Sequence, residues 1–231
     1  MTNLVFIRHA PTPWNRAKRL QGRSNIALDE TGRTVAASWR AAAQAWADWR
    51  VIASPLLRAK ETAVILFPHH AITLEPRLAE MDFGAWEGKT LRNLRAEPGG
   101  DAAQRELLGL DFHAPGGESP RQVQDRLKPL LHEIATAGRD TVAVAHKAVL
   151  RALYALAVGW DMCEQSPEKI RMNCAHHFCL DAAGQPQVVR MNLPLLPPPA
   201  KESPDKESSD KDVCDQELSG LPANRPGIDQ P

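Results

Sequence analysis

Two histidines and two arginines stand in this sequence where strands are predicted to end. The apolar run NLVFI is followed at once by Arg8 and His9, and the run TVAVA is followed by His146. The run RVIAS is followed within a few residues by Arg58. An imidazole can attack phosphorus, and guanidinium groups bind phosphoryl oxygens bidentately. The four side chains therefore predict an anion site at which a histidine could act as a nucleophile.

The elements that would position these side chains alternate between strand and helix. The runs NLVFI, RVIAS, AITLE and TVAVA are continuous or short apolar segments typical of strands in a buried sheet. Helices are predicted after Asp29, from Pro55, over ESPRQVQDRLKPLLHEIATAG up to Gly138, and over AVLRALYALAVG. Repeated strand-then-helix units predict a three-layer α/β fold, with a mainly parallel central sheet and helices on both faces. Ligands of such sheets bind beyond the carboxyl ends of the strands, where the four side chains should meet.

The segment CAHHFC is the place where a metal site would be considered first. On a strand, Cys174, His176 and Phe178 point to one face, and His177 and Cys179 point to the other. Four ligands do not converge from such an arrangement without a bulge. The segment is therefore interpreted as a half-buried strand with reduced thiols, paired with a second strand over QPQVVRMN, and no metal is expected.

The composition divides the chain into two parts. Residues 197–231 are rich in Pro, Ser, Asp and Lys and have no periodic apolar pattern. Such a segment cannot bury enough apolar surface to offset its conformational entropy, so it is predicted to be a disordered tail. Residues 1–196 are long enough for one domain with a sizeable core, and we assign the catalytic domain to them.

The charge of the chain favours small anionic ligands over polyanions. The 28 basic residues balance the 28 acidic ones, but the tail has a net charge of −4 and leaves +4 on the domain. That excess is too small to indicate nucleic-acid binding. No apolar run is long enough for a membrane span and no signal peptide is recognisable, so no membrane association is expected. The four cysteines form no disulfide framework, which favours the cytoplasm.

The segment RHAPTPWN resembles the R-H-G-x-T-x-W-N signature of the histidine phosphatase (phosphoglycerate mutase-like) superfamily. Further segments resemble the family's motifs in the same order: LQGRSNIALDETGR, ASPLLRAKETA, LAEMDFGAWEG, PGGESPRQVQDR and VAVAHKAVLRAL. The resemblance covers most of residues 1–196 and excludes the tail. It implies the fold of that family and a phosphomonoesterase that works through a phosphohistidine intermediate.

The resemblance also implies roles for individual residues. His9 is the nucleophile, and Arg8, Arg58 and His146 hold the phosphoryl oxygens, with a cationic His146 favoured by a bound phosphate. Glu80 occupies the position of the general acid, with apolar neighbours that could keep it protonated, and Asp82 is its rival. The predicted phosphate- and substrate-binding positions are Thr12, Asn15, Gln21, Gly22 and Lys147. Cationic side chains would do the work of a metal ion, so no metal and no cofactor are expected.

Two alternatives to a phosphatase remain open. The cofactor-dependent mutases carry an arginine, a tyrosine and a glutamine where this chain has Met81, Phe83 and Glu87, which favours hydrolysis over phosphoryl transfer. The family's glycines after the two histidines are replaced by Ala10 and by Lys147-Ala148. These departures leave room for a non-catalytic phosphate-binding protein.

The expected substrate is a small phosphorylated metabolite, and the expected assembly is a monomer or a homodimer. Lys147 is either a solvated residue at the start of a helix or a further cation near the substrate.

Overall fold

The structure, a computed structural model, describes residues 1–196, whose strands form one sheet. The strands are β1 (Thr2–Arg8), β2 (Arg50–Ala53), β3 (Thr73–Leu74), β4 (Thr141–Ala145), β5 (Cys174–Leu180) and β6 (Pro186–Pro194). Their order across the sheet is β3-β2-β4-β1-β5-β6. The first four run parallel, whereas β5 and β6 are antiparallel to their neighbours. The predicted mainly parallel α/β fold is confirmed.

Helices connect and cover these strands. They are α1 (Pro13–Arg16), α2 (Glu30–Ser38), α3 (Arg40–Ala43), α4 (Leu57–Leu66), α5 (Leu91–Ala96), α6 (Ala102–Glu106), α7 (Pro120–Ala137) and α8 (Lys147–Val158). Short 3₁₀ turns cover Gln44–Trp46, Pro76–Leu78, Gly84–Trp86 and Gly109–Asp111. As predicted, α7 ends at Gly138, which has a φ of 62°.

Alternation of side chains along the central strands divides the core into two layers. Leu4 and Phe6 of β1 pack on one face with apolar residues of α7 and α8. Val5 and Ile7 pack on the other face with residues of α2, α3 and α4. All five residues of β4 are buried between these layers. The continuous apolar runs in the sequence are thus strands with helices on both faces.

The helix predicted after Asp29 begins as expected but is not continuous. The Asp29 carboxylate accepts a hydrogen bond from the N–H of Gly32 and caps α2. The chain then breaks at Trp39, whose N–H bonds the carbonyl of Ala36 three residues earlier. The Trp39 ring is buried in the core. The single predicted helix is therefore α2, α3 and a 3₁₀ turn.

Two further expectations about helices were wrong or incomplete. Pro55 lies before α4 and not in its first turn, because the N–H of Leu56 bonds the Ser54 hydroxyl in a turn that precedes the helix. The segment between Gly88 and α7, for which no helix was predicted, contains α5 and α6.

The CAHHFC segment is strand β5, as predicted, and one of its histidines is a buried core residue. His176 is fully buried, and its Nε2 donates to the Arg171 carbonyl at 3.0 Å. Its Nδ1 accepts from the N–H of Asn192 at 3.3 Å. Both cysteines of the strand are free thiols. Both ring nitrogens of His176 are thus used within the fold, in a neutral ring.

This arrangement predicts that acid destabilises the fold through His176. Burial lowers the pKa of His176 to about 4, whereas an unfolded histidine has a pKa of about 6.5. Between these values the unfolded chain binds more protons, so the free energy of unfolding should fall as the pH falls. The contribution of one such histidine approaches about 1.4 kcal/mol per pH unit.

Urea unfolding of the wild type and of His176→Gln between pH 7 and pH 4.5 measures this dependence. The variant should show a shallower loss of stability, because His176 no longer contributes, while His69→Gln at an exposed site should follow the wild type. Identical pH profiles for wild type and His176→Gln would show that the proton is taken up elsewhere.

Within residues 1–196, the structure contains no helix that is both long and apolar enough to cross a membrane. The predicted disordered tail, residues 197–231, lies outside the described residues.

Candidate active site

Three adjacent strands deliver the predicted site residues to one edge of the sheet. β1 ends at Arg8, and the N–H of His9 donates to the carbonyl of Ala145, the last residue of β4, at 2.9 Å. His146 follows β4 directly. Ser54 follows β2, and its N–H donates to the carbonyl of the β4 residue Val144 at 3.0 Å. The register of the sheet therefore brings the ends of β1, β4 and β2 side by side.

The two histidine rings lie next to each other. Their centroids are 5.2 Å apart and their planes are tilted by 58°, so both rings can contact one phosphoryl group. Nδ1 of His9 lies 2.7 Å from the carbonyl of Ala10, which can only accept a hydrogen bond. The proton is therefore on Nδ1, and the lone pair of His9 is on Nε2. This is the tautomer that a nucleophilic Nε2 requires.

Both rings are held in the neutral form by their surroundings. Burial lowers the pKa of His9 well below its usual range, and the nearby Arg8 and Arg58 lower it further. Burial and then Arg58 lower the pKa of His146 in the same way. His9 thus keeps its lone pair at neutral pH. The cationic His146 expected from the sequence would need the charge of a bound phosphate.

A neutral His146 can still donate a hydrogen bond. Its Nε2 lies 2.7 Å from the hydroxyl of Ser54, which also accepts from the N–H of Leu56 at 3.3 Å. If Ser54 gives its own proton to Nε2, the ring proton of His146 is on Nδ1. Ser54 was not among the predicted site residues, although it directly follows a strand that ends at this edge.

Arg58 is fully buried and held by the loop that follows α1. Its two terminal nitrogens donate to the carbonyls of Ser24 at 2.7 Å and of Gly22 at 2.8 Å. Burial lowers the pKa of Arg58 to about 10, and Arg8 also lowers it, while Glu80 acts in the opposite direction. Within the part of the chain that the structure describes, the buried Nε of Arg58 makes no hydrogen bond. Arg58 is therefore a fixed cation that can still donate a hydrogen bond to a ligand.

Half of the buried nitrogens that lack a partner within residues 1–196 belong to residues of this site. Within residues 1–196, Nε of Arg8, Nε of Arg58 and Nδ1 of His146 are buried and make no hydrogen bond to the protein. A buried donor without a partner costs about 1–3 kcal/mol, so such groups need an explanation. Arg8 and Arg58 are close enough to lower the pKa of His9, and the His146 ring is 5.2 Å from the His9 ring, so the three nitrogens indicate a binding site for an oxyanion.

Glu80 lies beside this group of nitrogens, whereas Asp82 is used in its own loop. The Glu80 carboxylate accepts from the N–H of Met81 at 3.0 Å and from the N–H of Ala148, in the first turn of α8, at 3.4 Å. The Asp82 carboxylate accepts from the N–H of Gly84 at 2.7 Å. The contact with α8 brings Glu80 next to His146, so the geometry favours Glu80 over Asp82 as the general acid.

An ion pair that the sequence analysis did not single out fixes the backbone on both sides of Glu80. Arg126 of α7 pairs with Glu118 at 2.6 Å and donates to the carbonyls of Ala79, at 2.7 Å, and Arg77. Glu118 also accepts from the N–H of Asp82 at 3.3 Å. Neither Arg126 nor Glu118 follows a predicted strand in the sequence, so no local sequence pattern pointed to them.

The smaller predicted residues form a hydrogen-bonded turn under His9. The Thr12 hydroxyl lies 3.0 Å from the side-chain oxygens of both Asn15 and Gln21 and can donate its one proton to either, and Thr12 and Asn15 cap α1 reciprocally. Gly22 contributes its carbonyl to Arg58, so its backbone holds one of the predicted phosphate-binding cations.

Comparison with known proteins identifies the family. The family model described as histidine phosphatase superfamily (branch 1) matches residues 4–194. The chain belongs to that superfamily. Within residues 1–196, no three or more His, Cys, Asp or Glu side chains form a group that could hold a metal ion.

Relatives of this histidine phosphatase include phosphatases and mutases. A glucosyl-3-phosphoglycerate phosphatase of Mycolicibacterium vanbaalenii is 36% identical over 171 residues, which is 68% of this chain and 74% of that protein. A probable phosphoglycerate mutase of Salmonella paratyphi C is 29% identical over 179 residues, 76% of this chain and 83% of that protein.

A solved structure shows the same fold. The phosphoserine phosphatase of Entamoeba histolytica, in complex with 3-phosphoglyceric acid, superposes with a TM-score of 0.70 at 25% identity, covering 83% of this chain and 97% of that one. The predictions of the family, the fold and a metal-independent phosphatase of phosphoric monoesters are confirmed.

The two departures from the family pattern are accommodated without backbone strain. Among residues 1–196, positive φ at non-glycine positions occurs at Lys18, Met162 and Asn192, so Ala10 does not need the freedom of a glycine. Ala10 is buried, and its N–H donates to the hydroxyl of Thr62 at 3.0 Å. Lys147 is the half-buried first residue of α8, one position after His146.

Glu87 has a role in this histidine phosphatase that the sequence did not reveal. Its carboxylate accepts from the N–H of Arg23 at 2.6 Å, and from the N–H and hydroxyl of Ser24 at 2.9 Å and 2.6 Å. A Cβ on Gly22, which has a φ of +50°, would lie 1.8 Å from that carboxylate. Glu87 thus holds the loop whose carbonyls hold Arg58.

Proposed function

We propose that this histidine phosphatase hydrolyses a small phosphate monoester in two steps at His9. In the first step Nε2 of His9 attacks phosphorus, and the bond to the ester oxygen breaks. Glu80 gives its proton to the departing alkoxide. In the second step Glu80 takes a proton from water, the water attacks the phosphohistidine, and inorganic phosphate leaves.

One observation supports this mechanism above the others. Close to His9, whose lone pair is on Nε2, three buried nitrogens of Arg8, Arg58 and His146 have no partner in the described part of the chain. Donors that are fixed before the reaction stabilise the charge on the transferring oxygens without reorganisation. Fixed cations also supply the charge that a metal ion provides in other phosphoryl-transfer enzymes.

The names of the relatives favour a class of substrate. One relative is named for glucosyl-3-phosphoglycerate, and another is a phosphoserine phosphatase bound to 3-phosphoglyceric acid. These compounds are phosphate esters that also carry a carboxylate. We take a small phosphorylated hydroxy acid or amino acid as the substrate class, and we place the enzyme in the cytoplasm, as a monomer or a homodimer.

Phosphoryl transfer between substrates is the second candidate, because one relative is a probable phosphoglycerate mutase. In this chain the position of the mutase glutamine is occupied by Glu87, whose carboxylate binds Arg23 and Ser24 of its own protein. A second phosphate therefore finds a carboxylate there and not an amide donor, which favours hydrolysis.

The proposed function predicts turnover that does not depend on added metal. p-Nitrophenyl phosphate should be hydrolysed at the same rate with and without EDTA, because guanidinium and imidazole groups stabilise the transferring phosphoryl group. The measurement is release of p-nitrophenol and inorganic phosphate after exhaustive chelation. Loss of activity that Mg²⁺ or Zn²⁺ restores would contradict the mechanism. Conversion of 3-phosphoglycerate to its isomer without release of phosphate would establish the mutase alternative.

A further inference from the structure

Glu80, the proposed proton donor, lies in a segment that no helix or strand holds in place. The segment, residues 79–83, lies between the 3₁₀ turns Pro76–Leu78 and Gly84–Trp86. The Glu80 side chain is nevertheless buried, and its charge acts on the buried Arg58. Misplacement of a catalytic group by about 1 Å can lower a rate by about 10²-fold. The direction of the Glu80 carboxyl therefore has to be fixed by contacts with other parts of the chain.

Arg126 of α7 holds the backbone that precedes Glu80. Its guanidinium donates to the carbonyl of Ala79 at 2.7 Å and to the carbonyl of Arg77. The same guanidinium donates to both oxygens of Glu118, at 2.6 Å and 3.1 Å. A planar fork that is bound at two nitrogens by one carboxylate has a fixed orientation, so it also fixes the two carbonyls.

Glu118 holds the backbone that follows Glu80. Its carboxylate accepts from the N–H of Asp82 at 3.3 Å, and its own N–H donates to the carbonyl of Asp82 at 2.9 Å. The exposed fraction of the side chain is 17% for Arg126 and 14% for Glu118, so solvent screens their attraction only partly. The ion pair thus holds residues 77–82 against the start of α7, with Glu80 between its two points of attachment.

We infer that the ion pair of Arg126 and Glu118 positions the Glu80 carboxyl for transfer of its proton to the leaving oxygen. This inference rests on the proposed function for the role of Glu80. The two residues act through the backbone and take no part in bond breaking themselves. They are positioning residues, and their loss should affect the proton transfer more than the attack by His9.

The dependence of the rate on the leaving group tests this role. p-Nitrophenolate can leave without a proton, whereas the alkoxides of glycerol 2-phosphate and O-phosphoserine need one from a general acid. The measured quantity is kcat/KM, because it includes steps only up to cleavage of the ester. Arg126→Met should lower kcat/KM by about 10- to 100-fold for the two alkyl esters and by less than about threefold for p-nitrophenyl phosphate.

Glu80→Gln separates a failure of this inference from a failure of the proposed function. This variant should lose activity on the alkyl esters selectively, and adding Arg126→Met should cause little further loss, because both changes act through one group. A Glu80→Gln enzyme that is impaired equally on all three esters would show that Glu80 is not the general acid, and the inference would fall with that assignment. Selective loss in Glu80→Gln but not in Arg126→Met would overturn the positioning role alone.

Matched variants separate positioning from general stabilisation of the fold. Arg95→Met breaks an ion pair with Glu106 that also has two hydrogen bonds but joins α5 to α6, and it should leave all three rates unchanged. Arg126→Lys keeps the charge without the planar fork and covers the case in which Arg126→Met does not fold. It should show the same selective loss to a smaller extent. Equal losses on all three esters, or no loss, in the folded Arg126 variants would overturn the inference.

Discussion

Replacement of His9 by alanine is expected to abolish hydrolysis of phosphate esters. Without Nε2 there is no covalent intermediate, and the remaining cations can only polarise the ester for direct attack by water. Loss of a catalytic nucleophile lowers kcat by about 10⁴-fold or more in other enzymes. The measurements are release of inorganic phosphate and trapping of an acid-labile phosphoenzyme after quenching with radiolabelled substrate.

The control for this substitution is His69→Ala, at an exposed position outside the site. This variant should keep both the rate and the labelled intermediate of the wild type. A His9→Ala enzyme with a rate within tenfold of wild type would contradict the mechanism, even if Arg58 and His146 proved important.

Replacement of Arg58 by alanine is expected to lower kcat/KM by about 10²–10³-fold, the range found when one donor to a charged transition state is removed. The Nε of Arg58 is buried and makes no hydrogen bond within residues 1–196, and the charge of Arg58 acts on His9. Steady-state kinetics with p-nitrophenyl phosphate measure the loss, and Arg58→Lys should recover only part of it because a lysine lacks the planar fork.

Because Arg58 also binds two loop carbonyls, its truncation could disturb folding as well as catalysis. Thermal unfolding of each variant separates the two effects, and the exposed Arg33→Ala serves as the control for loss of a cation. A folded Arg58→Ala enzyme with kcat/KM within tenfold of wild type would show that Arg58 is structural.

The placement of His9 and His146 could be predicted because it depends on local patterns. Each follows a buried apolar run, and the ends of parallel strands share one edge of the sheet. The pairing of Arg8 with Ala145 was not available from the sequence, because it depends on which strands become neighbours. Without it, the 5.2 Å separation of the two rings could not be derived.

Other parts of the site depend on contacts that sequence patterns do not encode. The carboxylate of Glu87 accepts hydrogen bonds from a loop more than sixty residues earlier in the chain. Arg126 of α7 donates to the backbone just before Glu80. The short α5 and α6 were missed because helices of five or six residues gain little from propensity and depend on packing. The break in the helix at Trp39 also depends on packing, because burial of the Trp39 ring overrides the helical pattern of the Ala-rich segment.

The hydrogen bonds of Glu87 have a consequence for how the site assembles. One segment carries both Glu80, next to α8, and Glu87, which holds the loop at Arg23 and Ser24. If this segment opens locally, the proton donor and the support of Arg58 are lost in the same event. We therefore expect these parts of the site to be lost together, and slow exchange of the Arg23 and Ser24 amide hydrogens would report that they are in place.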